Sequence, residues 1–282
     1  MKIVTPVVNN PEFIYIQYHT LKKYFKGDYE FIVFNDGKNF HDFTNGGDIN
    51  IRDKIEDKCR ELGIQCINIP NDHHRTLLAP SGRCADSMNF ILNYQRQHPD
   101  KYLLLDSDMF LIDDFDISEL YKYDCGLVLQ QRENIIYFWH GLCYLDFTKI
   151  NNTDTMNWDV SVALKLDTGG MMHNWLNKHL ENRIIPSILD LRHGEYKHTD
   201  NTYFFRHLWS CSWNENELPY NLKNHSKLLQ FLYNDFRNEN GKFFCEIYDG
   251  KFLHYRGGCN WREEGLRIHN ILTKKLLNAL VN

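Results

Sequence analysis

Two aspartates one residue apart, Asp106-Ser107-Asp108, follow the apolar run Tyr102-Leu103-Leu104-Leu105. In extended backbone, residues i and i+2 point to the same side, so both carboxylates can face one ligand. Paired carboxylate oxygens suit a hard divalent cation such as Mn2+ or Mg2+, with positions left open for phosphate oxygens and water. Such a cation serves as Lewis acid and template beside a departing diphosphate. The same spacing is also that of an ordinary solvated turn. Asp167-Thr168-Gly169-Gly170 stands before a helical stretch. Asp167 is there either an acid facing a reacting hydroxyl or part of a helix cap, for which Asp and Thr are both favoured. His198, Asp200 and the distant His254 make up another set, the two-histidine, one-carboxylate composition of Fe(II)/2-oxoglutarate oxygenases.

The elements that must position these residues alternate in the first half. Strand-like runs fall at 2–8, 29–34, 64–69 and 101–105. Between them lie helical segments from Pro11 to about Phe25, from Asn50 to Leu62 with Gly63 as a stop, and from Ser81 to about Gln97. Asn35-Asp36-Gly37 reads as a turn closing the second strand. Strand and helix alternating at this spacing predict βαβ units, a parallel sheet and an α/β fold. Ligands of such sheets sit outside the carboxyl ends of the strands, which is where the aspartates fall. The second half is less regular. Strands are expected at 126–130, 141–147, 243–247 and 252–255, and helices at 170–180, 223–237 and 263–280. An antiparallel jelly roll, the usual seat of the iron triad, disagrees with the alternating first half.

Composition narrows the partners. The 282 residues carry a net charge of −5 and no Lys/Arg block, which argues against a nucleic-acid ligand, since phosphate neutralisation dominates that affinity. An acidic chain that holds a diphosphate needs positive charge, and a bound cation supplies it. Eight scattered cysteines without zinc or CxxC spacing read as free thiols in reducing surroundings. The strand-like run begins at Lys2, and no apolar stretch is long enough to span a bilayer; the expectation is a soluble cytoplasmic protein with no signal peptide or membrane anchor. With no linker or repeat, a single domain over 1–282 is expected, with a ligand-binding half at 1–110 and a second half at 111–282.

Lys101-Tyr-Leu-Leu-Leu-Asp-Ser-Asp-Met-Phe-Leu111 resembles the DxD segment of GT-A glycosyltransferases, and Phe252-Leu-His-Tyr-Arg-Gly-Gly-Cys-Asn-Trp261 resembles the segment in which several GT-A families supply a histidine to the metal. The resemblance implies a GT-A fold, with a mostly parallel central sheet flanked by helices and a small antiparallel acceptor-side region. It implies a sugar moved from a nucleoside-diphosphate sugar to a glycan or other hydroxyl acceptor, with Mn2+ or Mg2+ held by Asp106, Asp108 and His254. It further implies that Thr5 and Pro6 line the base pocket and Asp36 contacts base or ribose. Arg83 then reaches donor phosphates or sugar, Asp106 and Ser107 touch the donor, and Arg256 and Gly257 assist the diphosphate. Asp167 takes the place of an acceptor-side base, Trp139-His140-Gly141 lines the acceptor cleft, and Asp200 lies near the transferred sugar. Two other readings stay open. One is a GT-A-like binding protein without catalysis. The other is a haloacid-dehalogenase-type phosphatase, although there the motif opens the chain and Phe110 stands where Thr or Val is usual.

Overall fold

The computed structural model describes residues 1–40, 48–70, 79–181, 187, 191–192, 198–258 and 263–282. The chain starts with β1 (Lys2–Val7), α1 (Pro11–Tyr24), β2 (Phe25–Lys26) and β3 (Glu30–Asn35). Then follow α2 (Ile51–Leu62), β4 (Gln65–Asn68), α3 (Pro80–Gln97) and β5 (Lys101–Leu105). Local signals explain these boundaries. Asn10 accepts the Glu12 backbone N–H through its side chain at 3.2 Å, with Pro11 as the first helical residue. Gly63 ends α2 in the left-handed conformation at φ 66°.

Beyond β5 come β6 (Met109–Leu111), β7 (Phe115–Asp116), β8 (Cys125–Arg132), β9 (Ile135–Asp146) and α4 (Met172–His179). They are followed by β10 (Thr202–Phe204), β11 (His207–Leu208), the helix Ser226–Tyr233, β12 (Glu246–Tyr248), β13 (Phe252–His254) and the C-terminal helix Glu263–Leu280. The helix expected over 223–237 is therefore split: a short 3-10 turn covers Tyr220–Asn224 and the α-helix stops at Tyr233. The strand expected from 141 instead starts at Ile135, as the second arm of a hairpin with β8.

The main sheet has seven strands in the order β10-β8-β9-β5-β1-β3-β4. Only β9 runs against the rest. The fold is thus mixed α/β with a mostly parallel central sheet, as the alternation predicted. Strand alternation divides the apolar residues between two faces. Val4, Ile32, Phe34 and Leu104 pack with Met88, Ile91 and Leu92 of α3. Ile3, Val33, Leu103 and Leu105 pack with Ile14 and Leu21 of α1 and Ile51 and Ile55 of α2. Each such side chain, fully buried, contributes about 1.5–3 kcal/mol.

A second sheet, β11-β12-β13-β6, is antiparallel throughout. Its core joins Phe110 and Leu253 to Phe13 and Ile16 of α1 and to Leu272 and Leu276 of the C-terminal helix. Because β6 leaves directly from the turn after β5, this sheet is tied to the carboxyl end of the main sheet. No helix among the described residues is long and apolar enough to cross a membrane.

Candidate metal centre and flanking clefts

The order β4-β3-β1-β5 means that the chain builds outward from β1 on one side and then returns to its other side. A crevice forms outside the carboxyl ends of strands at such a reversal. Asp106-Ser107-Asp108 fills it. The motif is a turn rather than extended strand: the Met109 N–H donates to the Asp106 carbonyl at 3.1 Å. Extended alternation is therefore not what gathers the carboxylates. The turn does so, and Gln17 of α1 clamps it, its amide donating to the Asp106 carbonyl at 2.8 Å and the Met109 carbonyl at 3.0 Å.

His254 arrives from 146 residues away because β13 pairs with β6, which places it opposite Met109. The Tyr255 N–H continues that ladder onto the Asp108 carbonyl at 2.9 Å. Ligand atoms of Asp106, Asp108 and His254 all lie within 4.8 Å of one another. His254 Nε2 stands 3.1 Å from Asp108 Oδ1, and its Nδ1 stands 2.8 Å from Glu246 Oε2. Glu246 is the cross-strand partner of His254 in the β12–β13 pair, and the Tyr248 hydroxyl donates to the same carboxylate oxygen at 2.8 Å. A carboxylate behind a histidine fixes its ring and raises its basicity toward a metal. Glu246 went unnoticed in the sequence; its only signal is its place eight residues before His254 across a tight hairpin.

After β13 the chain turns sharply. Arg256 and Gly257 are both left-handed, at φ 63° and 73°, and the turn brings the Gly258 N–H to Asp108 Oδ2 at 2.8 Å. A Cβ at Gly258 would stand 2.5 Å from the Phe13 ring and 2.8 Å from that same oxygen, so glycine is required. Cys259, Asn260 and Trp261 of the expected metal segment lie outside the described residues.

The electrostatics suit a cation. Burial, followed by the neighbouring Asp108, pushes Asp106 up to about 7. Burial alone would raise Asp108 too, but the His254 imidazolium outweighs it and holds that carboxyl below the usual range. Burial opposes the charge on His254, yet Asp108 and Glu246 lift it to about 10. One buried carboxylate, Asp108, one partly exposed, Asp106, and an oriented imidazole form a donor set that fits Mn2+ or Mg2+.

On one side of the cluster, Pro6, Asp36, Lys38, Arg83, Cys84 and Asp106 line a pocket. Asp36, Arg83 and Pro6 are thus brought together in one pocket. Thr5 is not among them, because alternation along β1 turns it to the other face, where it is fully buried. Lys38 was missed: it is 1% exposed and its ammonium contacts Asp36 Oδ2 at 3.3 Å and the Asp36 carbonyl at 2.9 Å. On the other side, an open cleft of about 660 Å³ is lined by Trp139, Asp167, Trp209, His254 and Arg256. The register of the β8–β9 hairpin jumps from Leu127–Cys143 to Val128–Trp139, a bulge. It sends Trp139 into the cleft and leaves His140 buried, 4.0 Å from Asp106 Oδ2. Burial depresses His140 to about 4, so it stands neutral beside the carboxylate.

Arg256 reaches the Ser210 hydroxyl at 2.7 Å and lies 3.8 Å from Glu246 Oε1. Ser107 is buried, and its N–H donates to Asp106 Oδ1 at 2.7 Å. Asp200 is not gathered in. The adjacent Asn201 carbonyl accepts from the N–H groups of Asp124 and Cys125 where β8 begins, and β8 runs parallel to β5. Asp200 thus sits at the edge of the sheet where β5 enters, opposite the cluster. His198 is there as well, stacked 4.1 Å from Tyr203. His198, Asp200 and His254 therefore do not form one iron site.

No protein-family profile and no curated protein sequence matches the chain. Among solved structures it is similar in backbone to the galactosyltransferase LgtC in complex with donor and acceptor sugar analogues, at 12% identity and a TM-score of 0.36 over 72% of this chain and 73% of that one. An active-site mutant of LgtC compares at 12% identity and a TM-score of 0.37, with 72% of each chain covered.

Proposed function

We propose that the protein is a metal-dependent glycosyltransferase that takes a sugar from a nucleoside-diphosphate donor. The observation that carries this reading is the convergence of Asp106, Asp108 and His254 between two recesses at the carboxyl end of β5. Asp106, Asp108 and His254 would hold Mn2+ or Mg2+, and the cation would offset the charge that develops on the departing diphosphate. Glu246 keeps the His254 ring in the orientation that ligation needs.

The remaining roles follow from position. The pocket beside Pro6, Asp36 and Lys38 takes the nucleoside, with Asp36 accepting hydrogen bonds from base or ribose hydroxyl. Arg83 meets donor phosphate or sugar from the same pocket. Arg256, Gly257 and Ser107 border the diphosphate. Asp167, on the rim of the open cleft with Trp139 and His254, faces the acceptor hydroxyl and takes its proton.

Thermal shift with a panel of UDP- and GDP-sugars, with and without Mn2+, tests the reading, since a ligand that binds the native state raises its apparent stability. One donor should raise the melting temperature only with Mn2+ present, and that donor should be turned over. The Asp108→Asn variant should lose both the shift and at least 100-fold in turnover. Undiminished metal-dependent binding and turnover in that variant would overturn the proposal.

A further inference from the structure

The open cleft beside His254 has a wall built from aromatic rings, and its chemistry points to what it receives. Trp139 and Trp209 are partly exposed and both line the cleft. They come from separate parts of the chain, Trp139 from the bulged hairpin arm and Trp209 from just after β11. Tyr248, fully buried, backs both. Trp139 stacks on it at 5.6 Å and 21°, and Trp209 meets it edge-on at 6.0 Å and 89°. His207 supports the second indole at 4.2 Å. The pose of Trp139 is permitted by Gly141, where any Cβ would strike the indole ring. The Tyr248 hydroxyl is anchored on Glu246, so this wall and the His254 ring share one support.

The rest of the lining offers amides and charges of both signs. Gln130 and Gln131 offer paired donors and acceptors, Arg132 and Arg256 offer donors, and Glu133 and Asp167 offer acceptors. Counting Glu246 and His254, which line the cleft too, three carboxylates stand against two guanidinium groups and one imidazole, so the lining has no net preference for an anion. Its volume of about 660 Å³ falls among small-ligand sites, roughly 300–1,000 Å³. A pyranose ring has this same two-sided character. Its axial C–H groups carry slight positive charge and suit the negative face of an indole, while its hydroxyls at the edge donate and accept together.

We infer that the acceptor is itself a carbohydrate, a neutral glycan whose terminal sugar packs against Trp139 and Trp209 with its hydroxyl at Asp167. This rests on the glycosyltransferase reading above and names the acceptor class for that site. Lipid and peptide acceptors fit less well, since the described residues that line the cleft include no aliphatic side chain for an acyl chain to cover.

The test uses the intact protein with Mn2+ and whichever donor the thermal-shift panel identifies. Neutral methyl glycosides and oligosaccharides are titrated while tryptophan emission is followed, and transfer to the same sugars is measured. A saturable emission change and transfer to at least one neutral sugar are expected. Trp209→Leu should raise the acceptor KM tenfold or more with kcat altered less than threefold, whereas Trp209→Phe, which keeps a ring, should remain within about threefold in KM. Melting curves identify any variant that fails to fold, and the native titration still decides the matter in that case. If the native protein binds donor with Mn2+ yet no neutral sugar changes the emission or accepts transfer, this inference falls while the transferase reading stands. Transfer to uronic or sulfated sugars alone, to a lipid or to a peptide overturns it equally. If no donor binds, the transferase reading itself fails.

Discussion

At the scale of single residues, the cluster is held by partners that do not touch a ligand. Glu246 is the clearest. It accepts from Tyr248 and from the Ser210 N–H, and faces His254 Nδ1 with the same carboxylate. Burial raises its pKa, but hydrogen bonding to His254 outweighs that and holds Glu246 below the usual carboxylate range. Replacing Glu246 by Gln keeps the shape and removes the charge. Outer partners of metal-binding histidines typically contribute about 10–100-fold in affinity. Isothermal titration of Glu246→Gln with Mn2+ should show a loss in that range with an unchanged far-ultraviolet spectrum; wild-type affinity would mean that the imidazole needs no such support. Gln17 acts on backbone instead. Gln17→Leu strands two carbonyls that now receive its amide, a change worth about 1–3 kcal/mol when such groups are buried. Urea unfolding should show that loss, and Mn2+ binding should weaken with it because the Asp106–Asp108 turn is no longer clamped.

At the scale of elements, the short antiparallel sheet does the work of delivery. Two strand pairings carry Glu246 to His254 and His254 to the aspartate turn, so a one-residue slip in β13 would turn His254 to the opposite face. His207, on the outer strand of this sheet, gives the sheet a pH dependence. Burial lowers its pKa from 6.5 to about 4, only partly offset by the Phe205 carbonyl and Glu246. Between those values the unfolded chain binds a proton that the folded one refuses, so stability is lost as pH falls from about 6.5 towards 4. The contribution is on the order of 2 kcal/mol. Denaturation at pH 7.5 and pH 5 should therefore show a smaller acid loss in His207→Leu than in the native protein. Equal losses would locate the acid sensitivity elsewhere.

At the scale of the whole molecule, α1 joins the two sheets. Ile14 and Leu21 face the main sheet, while Phe13 and Ile16 face the cluster that holds Leu272 and Leu276 of the C-terminal helix. The Asn10 amide, besides its capping oxygen, donates to the Thr273 hydroxyl at 3.1 Å and ties the start of α1 to that helix. The last helix thus braces the element from which Gln17 clamps the aspartate turn. Leu276 is fully buried, and Leu276→Ala should cost about 2–5 kcal/mol in stability. The melting temperature of the variant should fall accordingly, with Mn2+ affinity weakened in the surviving native fraction if the brace reaches Gln17. A loss below about 1 kcal/mol would show that the helix end is dispensable.

Much of the framework was legible in the sequence because its causes are local. Pro11 and Asn10 start α1, Gly63 stops α2, and apolar runs of strand length alternate with helical segments, so the mixed α/β sheet follows from patterns within a few residues. The apolar run ending at Asp106 likewise placed the aspartates at a strand's carboxyl end. Thr5 was harder, since its strand was evident but the face it would take depended on where Pro6 met the pocket. The meeting of His254 with Asp108 depends on pairing across 146 residues, and periodicity carries no record of which strands pair. The same is true of Glu246, Lys38 and the clamp from Gln17, which have meaning only through neighbours remote in the chain. Asp200 shows the converse: its residue type suited chemistry, but the parallel pairing of β10 with β8 left it at the opposite edge of the sheet. Sequence determined the elements and the turn that bears the two aspartates, because steric and hydrophobic preferences act over one or two turns of chain. Tertiary structure decided how His254 meets that turn and brought Glu246, Gln17, Lys38 and Trp209 around it, because only packing brings distant strands into register.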